Sequence, residues 1–338
     1  MNILIVKLSS LGDVVHAMPA VQDIRRALPQ VQIDWVVERA FAPLVERCEG
    51  VRRAIPCELR RWRKAPFSTR TRAEWKTFKA ELQREAYDAV IDLQGLSKSA
   101  LIAWLARLAP RGQRYALANQ TEGSGYEAPT RWVADVAVHI EPHVHAVQRS
   151  RELCARALGY ALPVPEVYGL RPRQGAQDGS ASERVALGAL SARPCVALVH
   201  GSSRADKQWP AQHWIELAHR LDAQGYDVAL LHGTDDEQQR SEAMARQMPR
   251  AVVWPRLALD ALADALAGCA GVIGVDSGLS HIAVALDLPH VQIYNFDTAW
   301  RTGPVQRARQ LSVYAQPAPA VAAVWQAWLQ VCAVVEAH

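Results

Sequence analysis

Short apolar, β-branched runs bounded by turn residues recur along the chain and alternate with longer stretches of helical period. Such runs read as buried strands, and the stretches between them as helices that cover a sheet. In the first half the pattern predicts strands at 3–7, 33–37 and 89–93, with helices near 14–27, 71–85 and 97–108. In the second half it predicts strands at 196–200, 227–231, 252–254, 272–275 and 291–294, with helices over 211–224, 237–247, 258–267 and 281–286. Strands that alternate with helices in this way build parallel sheets from βαβ units, so the expected fold class is α/β, with each half a Rossmann-like, doubly wound sheet.

A length of 338 residues exceeds the ~100–200 residues of a typical domain. The Leu162-Pro163-Val164-Pro165 run and the stretch 171–182, rich in Gly, Ser and Gln, have the composition of a connection, with the boundary near residue 175. Residues 1–172 are expected to form one domain and 173–318 a second, with 319–338 a helix packing back across both. The stretch 112–130, which contains NQTEGSGYEAPT, has no period and reads as a long loop.

Composition narrows the class. Half the residues are apolar and 21% are charged, which suits a packed globular protein and argues against disorder. The opening MNILIVKLSSLGD is interrupted by Lys7 and Asp13 before it reaches the length of a signal or spanning segment, which points to a cytoplasmic protein. The six cysteines, at 48, 57, 154, 195, 269 and 332, fall in no metal-ligand spacing, so no disulfide and no structural zinc is expected. His143 and His145, near His139, lack a carboxylate or thiol at ligand spacing. The net charge of +4 is unevenly placed: between 60 and 79 lie eight Lys or Arg residues against the single acid Glu74. Such a surface suits an anionic partner, whether phosphate, carboxylate, acidic membrane or nucleic acid.

Chemistry is expected where strands end. The first strand runs into Lys7-Leu8-Ser9-Ser10-Leu11-Gly12-Asp13 and then a helix, which places this loop at the carboxyl end of a parallel strand. Neither GxGxxG nor GxxxxGK[ST] is present, which weakens dinucleotide-dehydrogenase and kinase readings. GxSxG and a loop DxD pair are absent as well. Asp13 reads either as a helix N-cap or as a general base held at a crevice, and Lys7 either as a strand end or as a partner for Asp13 or a phosphate. In the second half, Ser202, Ser203 and Lys207 follow a strand and could cradle a pyrophosphate, or form a plain polar loop. The segment Gly274-Val275-Asp276-Ser277-Gly278-Leu279-Ser280-His281 reads as strand, tight turn and helix start, where free N–H groups favour an anion. Capping explains Ser277 and Ser280 equally well, and a lone histidine such as His281 is more often structural. Glu237 at a third strand end could accept hydrogen bonds from ribose, or simply sit in a first helical turn.

These segments together resemble glycosyltransferase family nine, the lipopolysaccharide heptosyltransferases, over nearly the whole chain. ILIVKLSSLGDVVHAMPA, DWVVE at 34–38, YDAVIDLQGLSKSA at 87–100, DKQWP and GVDSGLSHIAVALD are similar to that family's motifs, in the same order. The run Arg60-Arg61-Trp62-Arg63-Lys64 resembles an element of the members that use Kdo as acceptor.

The resemblance implies a GT-B fold of two facing Rossmann-like domains. It implies an inverting transfer of L-glycero-D-manno-heptose from ADP-L-glycero-β-D-manno-heptose to Kdo-lipid A. Asp13 would be the base, with Lys7 beside it. Ser202, Ser203, Lys207, Glu237, Leu257, Asp276, Ser277, Gly278 and His281 would hold the donor, and Arg60, Arg61, Arg63, Lys64, Gln94 and Lys98 would serve the acceptor. No metal or other cofactor is implied, since Lys207 and the helix start at Gly278 would hold the leaving diphosphate. The basic stretch 60–79 would meet the anionic cytoplasmic face of the inner membrane peripherally, with Trp62 either at that interface or in the core. The chain departs from the family at 120–125, where Gln-Thr-Glu-Gly-Ser-Gly replaces an Arg-Glu-Pro stretch, and at Ser202 and Ser203, which replace threonines. Competing readings are an ADP-heptose transferase with a heptose-bearing acceptor, a nucleotide-sugar-binding protein without turnover, and a nucleic-acid binder.

Overall fold

The structure, a computed structural model, describes residues 1–173, 193–305 and 308–336. The connection expected at 171–182 lies outside the described residues from 174 onward. The chain divides into two compact units, Met1–Arg171 and Pro172–His338.

In the first unit, β1 (Asn2–Val6), β2 (Gln32–Glu38), β3 (Val51–Cys57), β4 (Tyr87–Asp92), β5 (Leu108–Leu117) and β6 (Val136–Val138) form one parallel sheet in the order β3-β2-β1-β4-β5-β6. The chain winds outward in both directions from β1 and β4, and right-handed crossovers therefore put helices on both faces. Helices Leu11–Ala27 and Ala146–Leu158 pack against each other on one face. Helices Thr69–Leu82 and Ser97–Leu105 cover the other, where Phe78, Leu82, Ile102 and Ala103 join Trp62 and the strand residues Leu4, Val36 and Val90 in one core.

In this sheet the sequence pattern misses β3, β5 and β6, and in β3 the cause is charge that is neutralised in the folded state. In β3, Arg52 and Arg53 break the apolar run, yet both reach the carboxylate of Asp34 on β2, which is fully buried. Arg52 Nε and Nη2 each donate at 2.9 Å, Arg53 Nη2 at 2.7 Å and the Tyr87 hydroxyl at 2.8 Å. Burial pushes the Asp34 pKa up, but these donors outweigh it and hold the group below the usual carboxylate range.

The expected loop at 112–130 is corrected at both ends. β5 runs through Leu117, and a short helix, Pro129–Val133, starts before residue 130. Pro110 and Gly112 hide β5 from pattern reading. Its register against β4 slips between Tyr87 and Ala89, and Gly112 passes so close to the Tyr87 carbonyl that a Cβ there would collide with it.

The second unit repeats the architecture with β7 (Cys195–Val199), β8 (Asp227–Leu230), β9 (Ala251–Val253), β10 (Gly271–Val275), β11 (His290–Tyr294) and β12 (Gln310–Tyr314), in the order β12-β11-β10-β7-β8-β9. Among the described residues, the helix Val321–Glu336, expected to pack back across both domains, lies against β11, β12 and the helix Ala211–Ala223. Its Val324, Trp328 and Val331 are buried in this unit's core.

In each sheet the winding reverses between two central strands, β1 and β4 in the first and β7 and β10 in the second. Loops leaving such a pair depart to opposite faces and open a crevice at the carboxyl ends, the usual ligand position in open α/β sheets. The loops after β1, β4, β7 and β10, singled out in the sequence, lie at these two reversals.

Candidate active site

At the first reversal, β1 delivers Lys7 and the loop to Ser10, and β4 delivers Asp92 and the loop to Ser97. Ser10 occupies the N-cap of helix Leu11–Ala27, and Asp13, its third residue, reaches back to it. The Ser10 N–H and Oγ donate to Asp13 Oδ2 at 3.2 and 2.9 Å. Asp13 is thus a first-turn partner of the cap rather than the cap itself, half of a capping box.

Its other oxygen, Oδ1, faces two cations: Lys7 Nζ at 3.4 Å and Arg149 Nη2 at 3.5 Å. Both cations are almost wholly buried, whereas the Asp13 side chain is 35% exposed and remains open to a ligand. Burial raises the Asp13 pKa, but Lys7, Arg149 and the Ser10 hydrogen bonds outweigh it and bring it to about 2. Burial also lowers the Lys7 pKa, against the opposing pull of Asp13. At neutral pH the carboxylate is ionised and fixed in orientation.

The supporting contacts come from the YDAVIDLQGLSKSA segment. Gln94 Oε1 accepts from the N–H groups of Leu8 and Ser9 at 3.0 and 3.1 Å. Lys98 Nζ donates to Ser9 Oγ at 3.0 Å, and Lys7 Nζ donates to the Leu93 carbonyl at 3.0 Å. Asp92, 1% exposed, accepts from the N–H groups of Gln94 and Gly95 and from Ser99 Oγ at 2.8, 3.2 and 2.9 Å. Burial dominates its titration and raises its pKa to about 6 despite those bonds.

The structure therefore joins Lys7, Asp13, Gln94 and Lys98 into one constellation and adds Arg149 and Asp92, which pattern reading missed. Arg149 sits on helix Ala146–Leu158, which the sequence pattern does not predict, and its Nη1 donates to Thr121 Oγ1 at 3.1 Å, fastening the loop after β5.

The four residues of the RRWRK run taken as acceptor contacts behave differently. Arg60, Arg63 and Lys64 are exposed. Arg61 is half-buried and ion-paired with Glu58 and Glu74. Trp62 is a core residue, packed on Trp75 and Phe78, with its indole N–H donating to Glu74 at 2.8 Å. Glu38, at the end of β2, links this run to the constellation: burial raises its pKa, opposed by Arg60 and Lys98.

At the second reversal, Lys207 Nζ lies 2.5 Å from Asp276 Oδ2, His281 Nε2 lies 3.4 Å from Oδ1, and Ser202 Oγ donates to the Asp276 carbonyl at 3.4 Å. Burial pushes the Asp276 pKa up, but His281 and Lys207 drive it far below the ordinary range, so the carboxylate is ionised. Asn295, at the end of β11, holds the lysine loop through bonds from Nδ2 to the carbonyls of Asp206 and Gln208 at 3.1 and 2.9 Å. No apolar or charge signal marked it in the sequence.

Ser277 caps helix Gly278–Ala285 by position only; its Oγ is buried without a partner. The helix start therefore keeps free N–H groups beside a hydroxyl and an ammonium, the donor set a diphosphate requires. Ser280 is structural, donating to the Val275 carbonyl at 2.6 Å. Gly274 lets Ser280 and β7 approach, since a Cβ there would stand 2.8 Å from Val199 Cβ. Glu237 folds back to accept the Gly233 N–H at 2.7 Å, and its Oε1 would meet a Cβ on Gly201 at 2.5 Å, so Gly201 leaves it room. Ser203 is exposed and Leu257 half-buried, both on loops of this edge.

Two doubly wound units, one presenting a clamped carboxylate and the other a lysine and an open helix start, are the parts of a GT-B glycosyltransferase. The chain belongs to glycosyltransferase family 9: the model for "Glycosyltransferase family 9 (heptosyltransferase)" matches residues 75–324. It is 38% identical to lipopolysaccharide heptosyltransferase 1 of Escherichia coli strain K12 over 87% of this chain and 88% of that one. It is 29% identical to lipooligosaccharide heptosyltransferase 2 of Haemophilus influenzae over 90% of this chain and 86% of that one. The structure of E. coli heptosyltransferase WaaC with ADP is similar at a TM-score of 0.82 and 35% identity, covering 96% of this chain and 98% of that one. The protein is accordingly a glycosyltransferase, a heptosyltransferase of lipopolysaccharide synthesis.

Proposed function

We propose that the enzyme transfers L-glycero-D-manno-heptose from ADP-L-glycero-β-D-manno-heptose to a Kdo residue of Kdo-lipid A, with inversion, and without a metal. The observation that carries this reading is the half-open Asp13 carboxylate held between Lys7 and Arg149. Its low pKa makes it a weak base at rest. It takes the Kdo hydroxyl proton only as that oxygen bonds to the anomeric carbon and becomes acidic, and the C–O bond to ADP breaks in the same event.

In the second unit, Lys207, the Ser277 hydroxyl and the N–H groups from Gly278 balance the charge that develops on the leaving diphosphate, a role a metal plays in other transferases. Asp276 keeps the lysine in place and, with His281, faces the sugar. Glu237 takes the ribose hydroxyls, and Ser202, Ser203 and Leu257 complete the nucleotide site. Lys98 and Gln94 hold the loop against which Kdo docks, while Arg60, Arg63 and Lys64 offer cations to its carboxylate. Arg61, committed to Glu58 and Glu74, supports the run from within.

Higher identity to a type 1 than to a type 2 relative favours Kdo over a heptose-bearing acceptor. We further propose that the enzyme works at the cytoplasmic face of the inner membrane. The described residues include no helix long and apolar enough to cross a membrane, and the exposed cations of 60–79 suit peripheral attachment to anionic lipid.

The test is heptosyl transfer from ADP-heptose to Kdo-lipid A in EDTA, comparing wild type with Asp13→Asn. Transfer by the wild type and loss of roughly 100-fold or more in the variant, the scale of general-base catalysis, with ADP affinity retained, is the expected result. A folded wild type that binds ADP-heptose but transfers only to a heptose-bearing core would move the acceptor one sugar outward. Full activity in the variant would leave Asp13 a capping residue only.

A further inference from the structure

We infer that the outer surface of helices Ser97–Leu105 and Pro129–Val133 is a docking face for an anionic lipid bilayer, with Trp104 and Trp132 as its apolar anchors. The inference rests on the lipid-linked acceptor proposed above but concerns residues that take no part in the transfer.

Helix Ser97–Leu105 sends Ile102 and Ala103 into the core of the first unit and turns Leu101 and Trp104 outward, 43% and 60% exposed. On helix Pro129–Val133, Thr130 is buried and Trp132 is 78% exposed. Between them lies an open groove of about 350 Å³ lined by Ser97, Ala100, Leu101, Trp104, Pro129 and Val133, and nearly devoid of polar groups. Scattered single apolar residues are ordinary on a soluble surface, but an apolar groove walled by Trp104 and Leu101, with the exposed Trp132 next in the chain to its lining residue Val133, is not.

The charge around the groove selects the partner. Arg131 stands next to Trp132 in the chain, Arg107 follows helix Ser97–Leu105, and both are exposed. The neighbouring acids are held by backbone amides: Glu127 Oε2 accepts the Ser97 N–H at 2.7 Å and Asp135 Oδ2 the Arg114 N–H at 2.8 Å. The helix Thr69–Leu82, on the same face of the same sheet, exposes Arg72, Lys76 and Lys79. Apolar indoles flanked by cations match a surface that is anionic outside and apolar a few ångströms in, where Trp partitions by preference. An apolar peptide would gain nothing from the cations, and a nucleic acid nothing from the groove.

The test uses the full-length protein and vesicles of phosphatidylcholine with or without phosphatidylglycerol, comparing wild type with Trp104→Ala/Trp132→Ala and with Arg107→Glu/Arg131→Glu. Partitioning onto anionic vesicles is expected to fall about tenfold or more in the tryptophan variant and comparably in the arginine variant. Quenching of indole fluorescence by brominated acyl chains should fall in the tryptophan variant alone, and transfer to an acyl-free Kdo acceptor should be unchanged in both. Wild-type partitioning retained by the tryptophan variant would overturn the inference. So would a wild-type dimer, seen by sedimentation, that the tryptophan variant breaks without any change on vesicles, for then a second copy covers the groove. If no Kdo acceptor is used but vesicle binding still depends on the two tryptophans, the acceptor reading fails and the docking face stands.

Discussion

Replacing Lys207 by alanine separates two things the lysine does. Its ammonium is 2.5 Å from Asp276 Oδ2, with the two side chains 18% and 6% exposed. Removing one partner of a well-buried pair costs roughly 3–5 kcal/mol. Here the lysine is partly solvated and His281 stays 3.4 Å from the other oxygen, so about 2–3 kcal/mol is expected. For a unit of this size that corresponds to a Tm lower by roughly 5–12 °C.

In the proposed donor site the same substitution removes a charged donor to the diphosphate, worth about 1.5–3 kcal/mol, or an ADP Kd weaker by roughly 10–150-fold. The second substitution, Asp276→Asn, removes the buried charge that Lys207 neutralised. Lys207→Ala/Asp276→Asn should therefore recover most of the Tm and none of the ADP affinity, read by calorimetric unfolding and by titration with ADP. Wild-type ADP affinity in Lys207→Ala would refute the diphosphate role. A double variant as unstable as the single one would refute the claim that the uncompensated carboxylate is what costs stability.

Asp92 gives a pH signature. Its pKa rises from 3.8 to about 6 on folding, so the folded state disfavours the ionised form. The unfolded chain releases the proton first, so the contribution of Asp92 to stability is lost as pH rises from about 4 to about 6, roughly 3 kcal/mol for a shift of about two units. In Asp92→Asn that slope should vanish, whatever its stability at one pH; equal slopes in calorimetry from pH 4 to 7 would contradict the burial argument. Gly274→Ala should cost about 1–3 kcal/mol by overpacking, because its Cβ would crowd Ser280 and stand 2.8 Å from Val199 Cβ; an unchanged urea midpoint would mean that β7 and β10 can part without penalty.

Much of the fold was legible because buried parallel strands are written as uninterrupted apolar runs. β1, β4, β7, β10 and β11 were all found within a residue or two of their ends. Of the strands that escaped, β3 and β5 carry charge or turn residues whose meaning depends on a distant partner, and β6 and β12 lie at sheet edges. Arg52 and Arg53 look like loop residues until Asp34 is seen between them, and Pro110 and Gly112 belong to a register slip that exists only against β4. The site divides similarly. Lys7, Asp13, Gln94 and Lys98 lie in motifs at strand ends, and strand ends at a winding reversal converge by topology alone. Arg149 arrives from a helix more than a hundred residues later, and Asn295 from a strand end with no motif, so only tertiary packing reveals them. The sequence leaves Trp62 open between an interface and the core, and Trp75 and Phe78, thirteen and sixteen residues further along the chain, claim it for the core.

Helix Ala146–Leu158 grips helix Leu11–Ala27 twice. Arg149 reaches Asp13 near its start, and Arg151 forms a buried pair with Asp23 at 2.6 Å further along. The loop after β5 is attached to the same helix through the Thr121 hydroxyl, which accepts from Arg149. The part of the molecule free to vary is thereby moored to the part that must not move, but does not itself carry it. The two pairs that hold Asp13 and Asp23 come from the helix itself, so the sequence from Gln120 to Gly125 can vary while both pairs remain.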